Sequence, residues 1–438
     1  MIDDLVRLAE TASNLLLNAA AGSKHVRVVS HSDADGITAA AILSTALFRS
    51  HIPFHTSLVS RLEESVLDAI KSSTADLVVF CDMGSGQPEL VNQIKEEVII
   101  LDHHRPVGEH NCIHVNPHLA GFDGGFELSA SGVAYFVARA MGENTDLSSL
   151  AILGALGDKQ SMIGANKFVF DEAVSSGAVK MNYGLMLADG NLHNVLAGSF
   201  EPYFEFSGNP EMVDEFLSQL NLSGRISDLK GESLRRLASA LVLILLKRGS
   251  VEATVSLIGE KYQLAHEVIP DASELLSIVN ACGRLEEPGI ALSLCLRDSG
   301  MLEDARTLEQ GGKETLIETL NKAREAVCEK DNLRYVILSN IRGTGAIAGT
   351  MARYVFPDKP FLALNQTLEI VKVSARGTRK QVSEGLDLAT AMRDVASALG
   401  GVGGGHNIAS GASIPLGNEE KMIEMVNDII KRQLEGRK

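Results

Sequence analysis

The stretch Val26-Arg27-Val28-Val29-Ser30-His31-Ser32-Asp33-Ala34-Asp35-Gly36-Ile37-Thr38 decides how this chain folds. Its first four residues are short and β-branched, which predicts a strand, and the Ala- and Leu-rich segment from Ile37 to Phe48 predicts a helix beyond an acidic turn. The pattern recurs downstream. Leu77 to Cys81 reads as a buried strand ending in Asp82, Val98 to Leu101 as another ending in Asp102, and Ile113 to Val115 as a third before Asn116-Pro117. Strands alternating with helices predict an α/β fold built on a doubly wound parallel sheet. Upstream, Leu5, Leu8, Leu15, Leu16 and Leu17 recur at near-helical spacing from Ile2 to Asn18, and Ala21-Gly22 closes that helix.

Beyond Asp158 the pattern changes to a helical middle segment, with Leu234 to Leu246 strongly apolar and Lys313 to Lys330 charged enough to form a long exposed connector. Strand-like segments return at Tyr335 to Leu338, Phe361 to Leu364 and Glu369 to Ser374. A helix from Leu386 to Leu399, a glycine-rich stretch from Gly400 to Gly405 and a last helix from Asn418 to Gln433 complete a smaller C-terminal α/β unit. The expected division is therefore 1–165, 166–330 and 331–438.

The 438 residues carry 40 Lys+Arg against 56 Asp+Glu, a formal charge of −16. That balance argues against a broad basic face gripping long duplex DNA, though a narrow basic groove is compatible with it. Hydrophobic residues make up 45% of the chain, which excludes disorder as its main state. Cys81, Cys112, Cys282, Cys295 and Cys328 are scattered without a C-x-x-C pair, so neither a disulfide framework nor a thiolate zinc site is expected. Met1-Ile2-Asp3-Asp4 does not begin a signal peptide, and no apolar run approaches the roughly 18 residues that span a bilayer. The expectation is a soluble cytoplasmic protein without a membrane partner.

Ligands of an open parallel sheet bind at the carboxyl ends of its strands, and the carboxylates fall there. Asp33 and Asp35 follow the first strand, Asp82 caps the second, and Asp102-His103-His104 cap the third. Asp158 closes the apolar segment Ala151 to Leu156 and is grouped with them. Taken alone, Asp33-Ala34-Asp35-Gly36 fits a turn or helix N-cap, and a single strand-end Asp fits an ordinary loop. Together, several carboxylates in one crevice repel one another unless cations neutralise them, and oxygen and imidazole donors suit Mn²⁺ or Mg²⁺ better than structural zinc. In the C-terminal unit, the Gly400 to Gly405 run matches neither a dinucleotide nor a P-loop fingerprint. With His406 directly after its bare N–H groups it is a candidate anion nest, and Arg376, at the end of a predicted strand, suits a bidentate phosphate contact. Arg376, Arg379 and Lys380 form one small basic cluster; Lys431-Arg432 with Arg437-Lys438 form another that reads as a solvated helix end.

The order His31-Ser32-Asp33-Ala34-Asp35-Gly36, Phe80-Cys81-Asp82, Leu101-Asp102-His103-His104 and Gly157-Asp158 resembles the DHH phosphoesterase superfamily, and Gly401-Val402-Gly403-Gly404-Gly405-His406 resembles its DHHA1 substrate-binding domain. The likeness is greatest to archaeal RecJ-like single-strand exonucleases, relatives of the Cdc-type subunit of the eukaryotic replicative helicase. The resemblance implies that His31, Asp33, Asp35, Asp82, His103 and Asp158 hold two divalent cations, Mn²⁺ ahead of Mg²⁺, with Asp82 as bridge and His31 near the first metal. It implies further that His104 faces the scissile phosphate, that Asp102 fixes the tautomer of a ligand histidine, and that Arg376, Gly403, Gly404, Gly405 and His406 hold the substrate. The implied activity is two-metal hydrolysis of single-stranded DNA or RNA. The other readings are a short-oligonucleotide or cyclic-dinucleotide phosphodiesterase and a structural replisome subunit bound to the GINS complex. Val29 stands where pyrophosphatase relatives have a histidine, which disfavours that variant, and a chain ending one helix after the DHHA1-like strands lacks the OB-fold of bacterial RecJ enzymes, which argues against long processive digestion.

Overall fold

Apolar, β-branched segments buried on both faces belong in a parallel sheet covered on each side, and the computed structural model, which describes residues 1–435, places them in one. Five strands, Val26–His31 (β1), Phe54–Val59 (β2), Leu77–Cys81 (β3), Glu97–Leu101 (β4) and Ile113–Val115 (β5), lie in the order β2-β1-β3-β4-β5. All are parallel, and the register pairs Ser30 with Cys81, Cys81 with Leu101 and Leu101 with Val115. The residues that follow each strand therefore emerge at one edge. Val29, Val78, Phe80, Val98 and Ile100 fill the core on one face; Val28, Val79, Ile99 and Leu101 point into the larger core on the other. The edge strand β2 has no apolar run (Phe54-His55-Thr56-Ser57-Leu58-Val59) and no counterpart among the expected strands, because an edge position leaves its side chains half-exposed.

Against the larger core lies the helix Ala34–Arg49, whose residues are almost all buried. It packs on the helices Ala130–Met141 and Ser148–Gly157 through small side chains. At Gly154 an added Cβ would stand 2.1 Å from Ser131 Oγ and 2.5 Å from Asp35 Oδ1, so this crossing admits only glycine. Asp158 is the C-cap of a helix and not a strand-end residue: the run Ala151 to Ala155 is apolar all round because it is buried all round, and short buried runs carry no period.

The chain divides into two compact units, one formed by Met1–Asn182 with Lys261–Glu309, the other by Tyr183–Glu260 with the chain from Gln310 onward. The expected middle segment 166–330 is shared between them. Leu275, Ile278, Val279, Cys282, Leu294 and Cys295 belong to the core of the first unit, where Arg297 also pairs with Asp146 at 2.6 Å and Glu267 at 3.1 Å. The strands Val179–Leu185 (β6) and Ile258–Leu264 (β7) pair as a ribbon in which the chain leaves the first unit and returns to it.

In the second unit six strands, Cys328–Glu329 (β8), Arg334–Ser339 (β9), Phe361–Gln366 (β10), Ile370–Arg376 (β11), Val402–Gly405 (β12) and Ala409–Pro415 (β13), run in the order β12-β13-β11-β10-β9-β8. Only β9 and β10 are parallel. Leu388–Ala398 and Glu419–Glu435 cover one face; Arg437 and Lys438 of the expected basic cluster lie outside the described residues. The helix Glu232–Arg248 buries a single stripe, Leu237, Leu241 and Leu245, and leaves Leu243 and Leu246 exposed. The expected exposed connector is instead the helix Leu302–Glu325, which buries Leu316, Ile317, Leu320 and Ala323. All five cysteines are free, and among the described residues no helix is long and apolar enough to cross a membrane.

Overpacking a close helix crossing costs about 1–3 kcal/mol. Gly154→Ala is therefore expected to lower unfolding stability by about that amount in urea titration, and an unchanged midpoint would mean that Ser148–Gly157 does not press on Asp35.

Candidate metal centre

Each carboxylate at the edge of the first sheet is fixed by backbone geometry before any side chain meets another. Asp33 is the N-cap of Ala34–Arg49 and accepts from Gly36 N at 3.0 Å. Gly36 is obligatory, since a Cβ there would stand 2.3 Å from the His31 carbonyl oxygen. Asp35 is 1% exposed and accepts the N–H groups of Ala130 (2.6 Å) and Ser131 (2.9 Å) at the start of the helix Ala130–Met141, where the unpaired amides favour an anion. Asp82 turns through the left-handed region (φ 57°) while its N–H donates to the Leu101 carbonyl at 2.9 Å, which swings its carboxylate inward.

These turns converge on Asp82. Its Oδ2 lies 3.2 Å from His31 Nδ1, and its Oδ1 lies 3.4 Å from His103 Nε2 and 3.6 Å from His104 Nδ1. His31 Nδ1 is also 3.0 Å from Asp33 Oδ2, and His103 Nε2 is 3.3 Å from Asp158 Oδ2 and 3.9 Å from Asp35 Oδ2. Three groups of donor atoms, each within 4.8 Å of one another, result: His31, Asp33, Asp82; Asp35, His103, Asp158; and Asp82, Asp102, His103, His104. Asp82 Oδ1 is buried without a hydrogen-bond partner, and a buried carboxylate oxygen left unpaired is costly unless a cation meets it. The donor set, all oxygen and imidazole, fits a hard divalent ion.

Asp102 is fully buried and accepts from Ser85 N, His103 N and His104 N at 3.0, 2.7 and 3.1 Å, and from His104 Nδ1 at 2.8 Å. The side-chain bond of Asp102 goes to His104, the solvent-facing ring, and not to the ring of His103, the histidine expected as a metal ligand. The Nδ1 of His103 is held by the Gly124 carbonyl at 2.8 Å. Asn116, fully buried after β5, donates to Ser85 Oγ (3.0 Å) and the His104 carbonyl (2.9 Å) and so pins the turn. Sequence reasoning did not single out Ser85, Asn116 or Gly124; a polar residue following β5 in register with Asp82 and Asp102 was the available signal for Asn116.

Titration follows from this crowding. Burial opposes a charge on His31, but the hydrogen bonds and charges of Asp33 and Asp82 outweigh it and hold the imidazolium up to about 11. Asp33, despite its own burial, is held near 2 by His31. Burial first and the charge of Asp82 second push Asp35 up to about 6. Burial and the charge of Asp35 raise Asp158 well above the carboxylate range. His103 is raised, against its burial, by Asp82, Asp35 and Asp158. Asp102, despite burial, sits well below the carboxylate range because His104 donates to it.

In the second unit, Arg376 ends β11 and donates from Nη1 to the Ala375 carbonyl (2.9 Å) and the Ser410 carbonyl (3.3 Å). Gly403, Gly404 and Gly405 form the edge strand β12, paired with Ala412, Gly411 and Ser410. They are not a converging nest: along an antiparallel edge strand, N–H groups alternate between partner and open side. His406 turns the hairpin, exposed, with its N–H donating to the Ala409 carbonyl at 2.9 Å. Since Arg376 pairs with Ala409 and Gly405 with Ser410, Arg376 and His406 stand at the same end of this sheet.

Residues 25–157 match the DHH family, N-terminal domain, and residues 336–432 match the DHHA1 domain. Protein MJ0831 of Methanocaldococcus jannaschii, itself uncharacterised, is 32% identical over 422 residues, covering 94% of both chains. Similar solved structures include exonuclease RecJ bound to manganese (18% identity, 97% of this chain and 94% of that one, TM-score 0.60). The Mn²⁺ complex of RecJ from Thermus thermophilus is also similar (18%, 97% of this chain but only 55% of that one, TM-score 0.63), as is CDC45 from Entamoeba histolytica (12%, 97% and 99%, TM-score 0.67).

The hydrogen bond from His104 to Asp102, with the carboxylate's charge, raises His104 above the ordinary 6.5. A value raised by folding means that this pair stabilises the fold below about pH 6.5 and that the contribution is lost as pH rises through the folded-state value. In Asp102→Asn the ring titration, followed by NMR in metal-free protein, should fall back toward 6.5 or below. A titration unmoved by the substitution would contradict the pairing.

Proposed function

This chain belongs to the DHH superfamily with a C-terminal DHHA1 domain, and on that premise we propose that it is a divalent-metal-dependent phosphodiester hydrolase acting from an end of single-stranded DNA or RNA. The observation that carries the reading is Asp82 Oδ1, buried without a hydrogen-bond partner where the clusters of donors meet. On this reading His31, Asp33 and Asp82 hold one cation, and Asp35, His103 and Asp158, with Asp82 between, hold the other. Bound there, Mn²⁺ or Mg²⁺ would neutralise the carboxylates, polarise a phosphoryl oxygen and make water a competent nucleophile at neutral pH.

The chain's own residues supply the rest. Asp102 orients His104 and favours its protonated form, leaving a ring that is 58% exposed to donate to a phosphate oxygen or the leaving group. Arg376, with Gly403, Gly404, Gly405 and His406, is assigned to the phosphate backbone of the strand. A formal charge of −16 favours short single strands over long polyanions, and keeps the short-oligonucleotide or cyclic-dinucleotide reading as the alternative. A purely structural replisome role, with GINS as partner, is disfavoured by the intact ligand set: carboxylates crowded without a cation destabilise a fold.

Two outcomes test this. Asp82→Ala should reduce hydrolysis of end-labelled single strands to below a few per cent of wild type at saturating Mn²⁺ with unchanged circular dichroism, and substantial residual turnover would contradict the shared-ligand role. Mn²⁺ at about 100 times its dissociation constant should add about 2.7 kcal/mol to unfolding stability, read as a rise in melting temperature that chelator reverses; identical melting curves would show that the donors gather no cation.

A further inference from the structure

The loop that leaves Asp158 carries a second side chain directed at the same cluster. Gln160 is 6% exposed, and its Nε2 donates to the Gly124 carbonyl at 2.8 Å. That carbonyl also accepts from His103 Nδ1 at 2.8 Å. Gln160 Oε1 in turn accepts from Asn166 Nδ2 at 2.7 Å, and Asn166, 2% exposed, lies in the first turn of the helix Gly164–Ser175.

The orientation of this chain of amides is closed by groups that can act in only one sense. The Ser161 carbonyl can only accept, and it takes the same Asn166 Nδ2 at 3.4 Å, so the nitrogen of Asn166 faces Gln160. Gln160 must then present its oxygen to Asn166 and its nitrogen to Gly124. A carbonyl has two lone pairs; Gln160 occupies one, leaving one for His103. Gly124 is locked in place too, since a Cβ there would stand 1.8 Å from the His103 carbonyl oxygen. His103 therefore meets Gly124 with Nδ1–H, and Nε2 is the ring atom left to face Asp82 and Asp158, 3.4 and 3.3 Å away.

We propose that Gln160 is a positioning residue for the metal centre: held by Asn166, it fixes the Gly124 carbonyl that sets the ring orientation and tautomer of His103. The inference rests on the metal-centre reading above. Hydrogen-bond partners one step behind a ligand histidine orient it and tune its affinity, typically by 10–100-fold. The same short turn thus supplies a carboxylate, Asp158, and the clamp for its neighbouring imidazole.

Gln160→Met keeps the length and volume of the side chain while removing both hydrogen bonds. In the full chain, calorimetry should show Mn²⁺ affinity lower by about 10–100-fold. The Mn²⁺ concentration for half-maximal hydrolysis should rise by the same factor, while turnover at saturating Mn²⁺ recovers to within a few-fold of wild type. In the Mg²⁺-loaded protein, nitrogen NMR should show a sharp, hydrogen-bonded His103 Nδ1–H in wild type and a shifted, exchange-broadened one in Gln160→Met, a change that a merely structural side chain would not produce. Should Gln160→Met fail to fold, Asn166→Ala carries the test with the same readouts. Equal Mn²⁺ affinity in wild type and a folded variant overturns the role of Gln160 alone. A wild-type chain that binds no Mn²⁺ overturns the metal-centre reading as well.

Discussion

Everything in the first unit is arranged around like charges that have to share one place. Asp33, Asp35, Asp82, Asp102 and Asp158 cannot all be ionised in a common crevice without strong mutual repulsion, and each is handled differently. Asp35 is absorbed by two amides at a helix start, and Asp102 by three backbone N–H groups and an imidazole. Asp33 leans on Gly36 N–H and His31. Asp158 is raised far above its ordinary range, and Asp82 Oδ1 is buried without a hydrogen bond, with only the His103 and His104 ring nitrogens near it at 3.4 and 3.6 Å. The fold thus gives its backbone donors to some acids and leaves others placed where they could hold a cation.

That arrangement depends on register more than on side-chain packing. Parallel strands put the residue after each strand at one edge, and a one-residue slip would turn every acid to the wrong face. The pairing of Cys81 with Leu101 aligns Asp82 with Asp102, and the left-handed turn at Asp82 then separates them, one carboxylate swung toward His31 and His103, the other folded back under His104. Glycines at 36, 124 and 154 are the spatial counterpart, each clearing room for a carbonyl or carboxylate that a methyl group would displace.

Much of this was legible in the amino-acid order because short, apolar, acid-capped strands carry their own punctuation: β1, β3 and β4 with the acids beyond them, and β5 before Asn116-Pro117, lie where the sequence pattern puts them. What escaped has physical reasons. The edge strand β2 has no buried period to display. The Asp158 segment is a helix buried all round, so strand and helix look alike in it. Gly403 to Gly405 lack side chains that could advertise a strand, and the β13 residues opposite them are Ala412, Gly411 and Ser410. The division of the middle segment between two cores depends on contacts distant in sequence, as does the linkage of Gln160 and Asn166 to Gly124 and His103, which no local pattern announces.

The most direct test of a cation-holding acid cluster is anomalous diffraction from crystals soaked in Mn²⁺. Two peaks roughly 3.5–4 Å apart, with carboxylate oxygens of Asp82 in contact with both, are what the proposed two-cation site predicts. A map without a peak beside Asp82, at Mn²⁺ concentrations that label other sites on the protein, would contradict it.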